Sequence, residues 1–361
     1  MSTTEKPSPS YHTIEHNNPA IFKPTYLVLD DINVDFIAAN ILAATGLAWL
    51  FHYLDAKLAL ALLGVTVLPL KLLFPRPRRP EGTVLITGAS SGIGAELSYI
   101  FADKGHGLVL VARNEDQLQA VKRNVEEKYH VHADTISVDL SEPGSAQRVY
   151  DIVTQEKHRS VSVLVNAAAL GAAGDSFEQP LDLVERMTTL NCVSLVQLTH
   201  LFGRDMITNG KGWILQVTSV GAWIASPGQN IYHASKHFAR AFSEALSLEL
   251  RAYPGVTNTQ LLPGPAHTQF ITRSHAEETF MMAASGAVED PKSVAQVGYR
   301  ALCNRRTAVH SSWSALFSTL LFRFVPMSVH LTLASLFNAP LRGVRRAEEP
   351  LKDQGERKRE L

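Results

Sequence analysis

The sequence predicts an α/β fold of the doubly wound kind, a parallel sheet covered on both faces by helices. Two observations predict it. Short β-branched or apolar runs alternate with longer amphipathic stretches from about residue 83 to residue 303. The first run, Thr83 to Ile86, leads into glycines at positions 88, 92 and 94 and then into a helical pattern from Ala95.

Taken in order, Thr83–Ile86 reads as a buried strand. Glycines after it let the backbone turn sharply and leave room for a ligand. The helix that follows aims unpaired N–H groups and its positive dipole end at that ligand, which suits a phosphate. Such a strand, glycine loop and helix form a dinucleotide cradle of the Rossmann type. Gly107–Ala112 reads as a second strand and Asn114–Lys128 as an amphipathic helix. Asp134–Val138 is a third strand, ending at Asp139, and Val161–Val165 a fourth. Leu181–Met206 has helical apolar spacing, with a break expected near Gly203. Gly212–Thr218 is a fifth strand, Tyr232–Tyr253 a long helix and Thr257–Leu262 a sixth strand. Asp290-Pro291 places a capping carboxylate before a proline at the first helical position, opening a helix to about Cys303.

The flanks differ in character. Residues 1–33 are polar and expected to be disordered. Residues 34–74 hold two apolar runs, Phe36–Leu54 and Leu58–Leu70, separated by Asp55-Ala56-Lys57. The first is about long enough to span a bilayer, so the segment is expected to be a transmembrane anchor, as one span or a hairpin. The other reading is an apolar helical pair packed on the domain or on another subunit. Lys71, Arg76, Arg78 and Arg79 follow it, whereas Asp30, Asp31 and Asp35 precede it. That asymmetry places the domain at residues 82–312 in the cytosol, with the endoplasmic reticulum as the default membrane. Residues 75–81 form a stiff Pro/Arg linker. Residues 313–340 are apolar but interrupted by Arg323, Pro326 and His330, so a lid or a membrane-facing pair of helices is expected rather than a span. Residues 341–361 form a charged, solvated tail.

Lysines and arginines number 34, as do aspartates and glutamates, and the net charge is zero. That balance argues against a nucleic-acid partner. The two cysteines, Cys192 and Cys303, form no CxxC pair, so neither a structural disulfide nor a metal site is expected. There is no Asn-x-Ser/Thr acceptor to suggest lumenal exposure.

The chemistry concentrates in Tyr232-His233-Ala234-Ser235-Lys236, with Ser219 thirteen positions before the tyrosine. Four residues apart on one helix, Tyr232 and Lys236 share a face. A phenol with a reference pKa of about 10 is a poor proton shuttle at neutral pH, and a nearby ammonium is expected to lower it. Ser219 lies just past the fifth strand, at the sheet edge where ligands of such folds bind.

With these residues together, the chain resembles the short-chain dehydrogenase/reductase family from about Gly82 to at least Ala308. Thr87-Gly88-Ala89-Ser90-Ser91-Gly92-Ile93-Gly94 matches that family's TGxxxGxG loop, and Tyr232 to Lys236 its YxxxK signature. Asn191 matches the helix asparagine, and Pro263-Gly264 with Thr268 the turn that meets the nicotinamide. The resemblance implies hydride transfer with Asn191, Ser219, Tyr232 and Lys236 as the catalytic group. Tyr232 would exchange the proton on the substrate oxygen, Lys236 depress its pKa and hold the nicotinamide ribose, Ser219 orient the carbonyl, and Asn191 position a water linking Lys236 to solvent. It further implies cofactor contacts from Thr87, Gly88, Ser90, Ser91, Gly92, Ile93, Gly94, Arg113, Asp139, Asn166, Tyr232, Lys236, Pro263, Gly264 and Thr268.

Arg113, where an acidic residue would favour NAD, suits a 2′-phosphate, so NADP(H) is expected, although Ser91 stands where many NADP users carry a basic residue. Asp139 would meet the adenine. Asn166-Ala167-Ala168-Ala169 departs from the family's Asn-Asn-Ala-Gly, which puts the geometry of that loop in question. The tail and the anchor resemble lipid- and steroid-type members, of the 3-oxoacyl-CoA reductase and 17β-hydroxysteroid dehydrogenase kind. Phe270, Ile271, Phe280, Met281 and Met282, together with Trp223 and Ile224, predict an apolar pocket for a lipophilic ketone or alcohol of fatty-acyl, steroid, terpenoid or polyketide type, unless they are ordinary packing. A homodimer through the Leu181–Met206 and Tyr232–Tyr253 helices is a further expectation. The competing class is a non-catalytic, membrane-tethered nucleotide-binding scaffold.

Overall fold

The computed structural model describes residues 79–174, 176–268 and 288–337. Its centre is a sheet of strands β1 (Thr83–Thr87), β2 (Leu108–Ala112), β3 (Ala133–Ser137), β4 (Val161–Asn166), β5 (Gly212–Val217), β6 (Val256–Leu262) and β7 (Ala308–His310). All pair in parallel, in the order β3-β2-β1-β4-β5-β6-β7. The six expected strands are present, and β7 is an added edge strand, too short at three residues to announce itself by periodicity.

Both faces are covered, as near-continuous apolar strands require. One face packs against α1 (Gly92–Asp103), α2 (Glu115–Tyr129) and α7 (Pro291–Cys303), burying Leu97, Phe101, Leu118 and Leu302. The other packs against α3 (Ser145–Asp151) and α5 (Leu195–Thr208), burying Val149, Leu198, Phe202 and Met206. Helix α3 runs on as a π-helical turn, Ile152–Glu156, and was not anticipated from spacing. Strand order reverses between β1 and β4, which opens a crevice at the carboxyl ends of the strands.

Helix α4 (Leu181–Thr188) passes through a π-helical turn, Thr189–Ser194, into α5. The break expected near Gly203 is absent. Gly203 is buried inside α5, facing the Ile214 side chain of β5, and the helix runs through it unbroken. Helix α6 (Asn230–Glu249) carries the tyrosine signature. Two further helices, α8 (Trp313–Phe324) and α9 (Met327–Phe337), form a hairpin parted at Val325-Pro326. Among the described residues no helix is long and apolar enough to cross a membrane. The proposed anchor at 34–74, the segment 1–33, the charged tail 341–361 and the residues Phe270, Ile271, Phe280, Met281 and Met282 lie outside the described residues.

Candidate active site

The glycine loop follows β1 directly. Gly88 has φ +67°, and a Cβ on it would lie 2.9 Å from the backbone of Ala168. A Cβ on Gly94 would lie 2.3 Å from the Gly88 carbonyl. Both positions therefore require glycine. Ser91 precedes α1 without capping it through its side chain, and the first turn of α1 carries no acidic residue. An uncapped, positively polarised helix start facing a glycine loop fits a pyrophosphate.

A cleft of about 370 Å³ runs from this loop across the sheet edge. Gly88, Ser90, Ser91, Gly92, Ile93, Gly94 and Arg113 line it from the glycine-loop side, with Thr268 packed beside Gly92, and Ser219, Tyr232, Lys236, Pro263 and Gly264 line it as well. Residues 145 positions apart in sequence, Thr87's neighbour Gly88 and His233, thus face one space.

At the tyrosine end, Ser219 caps the 3-10 turn Val220–Trp223, its hydroxyl accepting the Gly221 N–H at 3.0 Å. The same hydroxyl hydrogen-bonds the Tyr232 oxygen. Burial pushes the Tyr232 phenol up to about 12, against the lowering by Ser219. This corrects the expected depression by Lys236. The Lys236 ammonium lies 5.8 Å from the tyrosine ring centroid and donates instead to the Val217 carbonyl at 3.3 Å. Lys236 is buried, and loss of hydration lowers its pKa to about 8.

Four expected contacts are not lining residues of the cleft. Thr87 turns its hydroxyl inward, donating to the Val165 carbonyl at 3.3 Å and accepting the N–H groups of Ala167 at 3.0 Å and Ala168 at 3.1 Å. This clasp holds the alanine loop that departs from the family pattern. Asn166 also points inward, donating to Thr199 at 2.9 Å and Gln216 at 3.0 Å, which ties β4 to α5 and β5. Asn191 lies in the π-helical turn with its whole amide engaged: Oδ1 accepts the Leu170 N–H at 2.9 Å, and Nδ2 donates to the Leu170 carbonyl at 2.8 Å and to Ser235 at 2.9 Å. A π-helical turn at such a place is a common mark of functional sites.

Asp139 does not line the cleft but holds residues that do. Its carboxylate accepts from Arg113 and Arg186, both at 3.2 Å, and from the Ser141 hydroxyl at 2.6 Å and N–H at 2.9 Å. These donors hold its pKa below the ordinary range although burial opposes them. Arg113, held by Asp139, lines the cleft. Sequence reasoning missed Arg186, which lines the cleft beside it. It is 47 residues from Asp139, and no local pattern links the two.

His233 has both a structural contact and a place in the cleft. Its Nδ1 meets the Gly221 carbonyl at 3.0 Å and its ring lines the cleft, while burial lowers its pKa to about 4. Cys192 is buried.

The family model for short chain dehydrogenase matches residues 82–279. Over 209 residues, the chain is 35% identical to dehydrogenase/reductase SDR family member 7 of Homo sapiens, covering 56% of this chain and 61% of that protein. It is 32% identical to the very-long-chain 3-oxoacyl-CoA reductase of Rattus norvegicus over 200 residues, covering 53% and 61%. The match thus spans about three fifths of the length of these relatives. Among solved structures, a short-chain dehydrogenase from Sphingobium yanoikuyae in complex with NADPH superposes with a TM-score of 0.59 at 27% identity, covering 69% of this chain and 98% of that one. The bulky-bulky ketone specific alcohol dehydrogenase of Comamonas testosteroni gives 0.56 at 25% identity, covering 69% and 96%. With the glycine cradle, the reversed strand order and a family match over more than half its length, the chain belongs to the short-chain dehydrogenase family.

Proposed function

We propose that the protein is an NADP(H)-dependent oxidoreductase that interconverts a ketone and a secondary alcohol on a lipophilic substrate. The observation that carries this reading is the single cleft joining the glycine loop and Arg113 to Ser219, Tyr232 and Lys236. When bound, the nicotinamide supplies or accepts the hydride. The chain's own groups handle the oxygen. Tyr232, which keeps its proton through the neutral range, donates it to the carbonyl oxygen as the C=O becomes C–OH. The Ser219 hydroxyl, fixed by Gly221 and beside the Tyr232 oxygen, donates to the same atom and stabilises charge developing there. Lys236, one helical turn away with its ammonium 5.8 Å from the tyrosine ring, would hold the nicotinamide ribose. Asn191 fixes this helix through Ser235 and fixes the Leu170 wall through its backbone.

Leu170, Leu190, Val220, Ile224 and Pro265 make the substrate end apolar. That supports a lipophilic substrate, as do relatives whose names specify a 3-oxoacyl-CoA and bulky ketones. Arg113 supports NADP(H), and a solved relative holds NADPH. In the same reading, residues 34–74 anchor the domain to a membrane. A homodimer would cover the exposed Val193, Phe238 and Leu248, which stand on the helical stretches expected to pair. The test is oxidation of NADPH and NADH by the full chain against a panel of lipophilic and small polar ketones, with Tyr232→Phe as control. Turnover of lipophilic ketones with NADPH that vanishes in the variant is expected. Equal behaviour of the two proteins across the panel overturns the enzyme reading.

A further inference from the structure

The C-terminal hairpin grips both walls of the substrate end of the cleft. One grip is at its start. Ser311 accepts the Gly264 N–H at 3.1 Å, and Ser312 donates to Glu289 at 2.6 Å. Glu289 in turn gives its own N–H to the Pro265 carbonyl at 2.7 Å and accepts that of His267 at 3.0 Å. This holds the turn after β6.

The second grip is on the wall that carries Ser219. His330 of α9 is only 4% exposed although it is polar. Its Nε2 accepts the Ala225 N–H at 2.9 Å, so the ring proton sits on Nδ1, which faces the Phe322 carbonyl of α8 at 3.1 Å. Both nitrogens of one buried ring therefore join three segments: α8, α9 and the strand-like exit of the Val220–Trp223 turn. Two residues before Ala225, the Trp223 ring packs against the guanidinium of Arg240 from α6, 3.6 Å from its centroid, and that of Arg323 from α8, at 4.9 Å. Ile224, between these two anchored residues, lines the cleft.

We propose that His330 is a positioning residue of the reaction, acting through Ala225 to hold the Ser219–Ala225 wall, and hence the serine hydroxyl and Ile224, against the substrate. The hairpin is then a fixed clamp and not a mobile lid. The proposal rests on the oxidoreductase reading for its kinetic consequence. Its mechanical part, the link from α9 to the wall, stands without it. An imidazole supplies one acceptor and one donor on opposite sides of a compact side chain. Glutamine offers the same pair, and leucine neither.

The experiment compares full-chain wild type, His330→Leu and His330→Gln by three readouts: kcat and KM with a ketone, the Kd of NADPH, and amide hydrogen exchange of the peptide covering residues 219–226. For His330→Leu a loss of at least tenfold in kcat/KM is expected, with the Kd of NADPH within twofold and faster exchange in that peptide. For His330→Gln, kcat/KM within threefold of wild type and near-native exchange are expected. Unchanged exchange, unchanged kcat/KM, or an equal loss in both variants overturns the proposal. If His330→Leu fails to fold, Arg323→Ala, whose side chain is at the surface, loosens the same wall from outside. It is expected to quicken exchange of the peptide and lower kcat/KM about threefold, and no change in either overturns the clamp. Should the wild type turn over no ketone, the oxidoreductase reading falls, and the exchange of residues 219–226 decides the clamp by itself.

Discussion

The Lys236 ammonium stands 5.8 Å from the centre of the Tyr232 ring while its hydrogen bond goes to the backbone of β5, at Val217. The pair shares a helix face, yet burial acts on each group separately and favours the neutral form of both. This arrangement stores an unfavourable charge beside the candidate proton donor, and it makes the site measurable by stability as well as by turnover.

Lys236→Met is expected to abolish turnover and to stabilise the fold at pH 7. The folded pKa of about 8 lies below the free value of 10.5, so the unfolded chain binds more protons between those limits. Wild-type stability therefore rises with pH from about 8 to 10.5, and below that window the buried ammonium costs on the order of 3 kcal/mol. Part of that gain is offset by the donor that Val217 loses, about 1 kcal/mol. Denaturant unfolding at pH 7 and pH 9.5 checks the sign. The variant's advantage is expected at pH 7 and is expected to shrink at pH 9.5.

Tyr232→Phe keeps the ring and removes the proton. Loss of a positioned general acid corresponds to roughly a 10²- to 10⁴-fold fall in kcat. The Kd of NADPH is expected to stay within a few-fold, because the glycine loop and Arg113 keep their places in the cleft. Steady-state kinetics with a ketone, alongside cofactor fluorescence titration, separates the two effects.

Arg113 reports on cofactor choice. It is about half exposed and held by Asp139. Arg113→Ala is expected to weaken NADPH by roughly 10- to 100-fold, the value of a charge-assisted hydrogen bond to phosphate. NADH binding is expected to change little. An equal loss for both cofactors places the arginine's role in the fold, with Asp139 and Arg186, and not at the 2′-phosphate.

Most of the sheet is legible in the sequence because buried parallel strands are short runs bounded by glycine and charge, and six of them stand out. The cleft's lining was legible for a related reason: Gly88, Gly94, Ser219, Tyr232 and Lys236 sit where strand ends and helix starts must converge. What sequence could not give is orientation. Thr87 and Asn166 occupy family motif positions, yet their side chains turn into the protein, because unpaired backbone and interior amides lie there. Spacing places Lys236 near Tyr232 but says nothing about the burial that raises the phenol, or about the Val217 carbonyl that takes the ammonium's hydrogen bond. The partners of His330 and Arg186 are far away in sequence, so His330 stands out there only as a polar break in an apolar stretch, and nothing local marks Arg186.

Thr87 gives a test of the loop that departs from the family pattern. Its hydroxyl oxygen accepts two backbone N–H groups, of Ala167 and Ala168, while its proton goes to Val165. Thr87 is 1% exposed, so no water replaces it. Thr87→Val has the same shape but leaves those groups unsatisfied, at a cost of about 1–3 kcal/mol for each one that stays buried. Thr87→Ser retains the oxygen and loses only a methyl, for about 1 kcal/mol. Thermal unfolding is expected to rank wild type above the serine variant and the serine variant well above valine. Weakened NADPH binding is expected in the valine variant alone, since Gly88 packs on the Ala167-Ala168 backbone that the hydroxyl holds in place. A valine variant as stable as the serine one would mean that the alanine loop is held by packing, and that the clasp contributes nothing to the cradle.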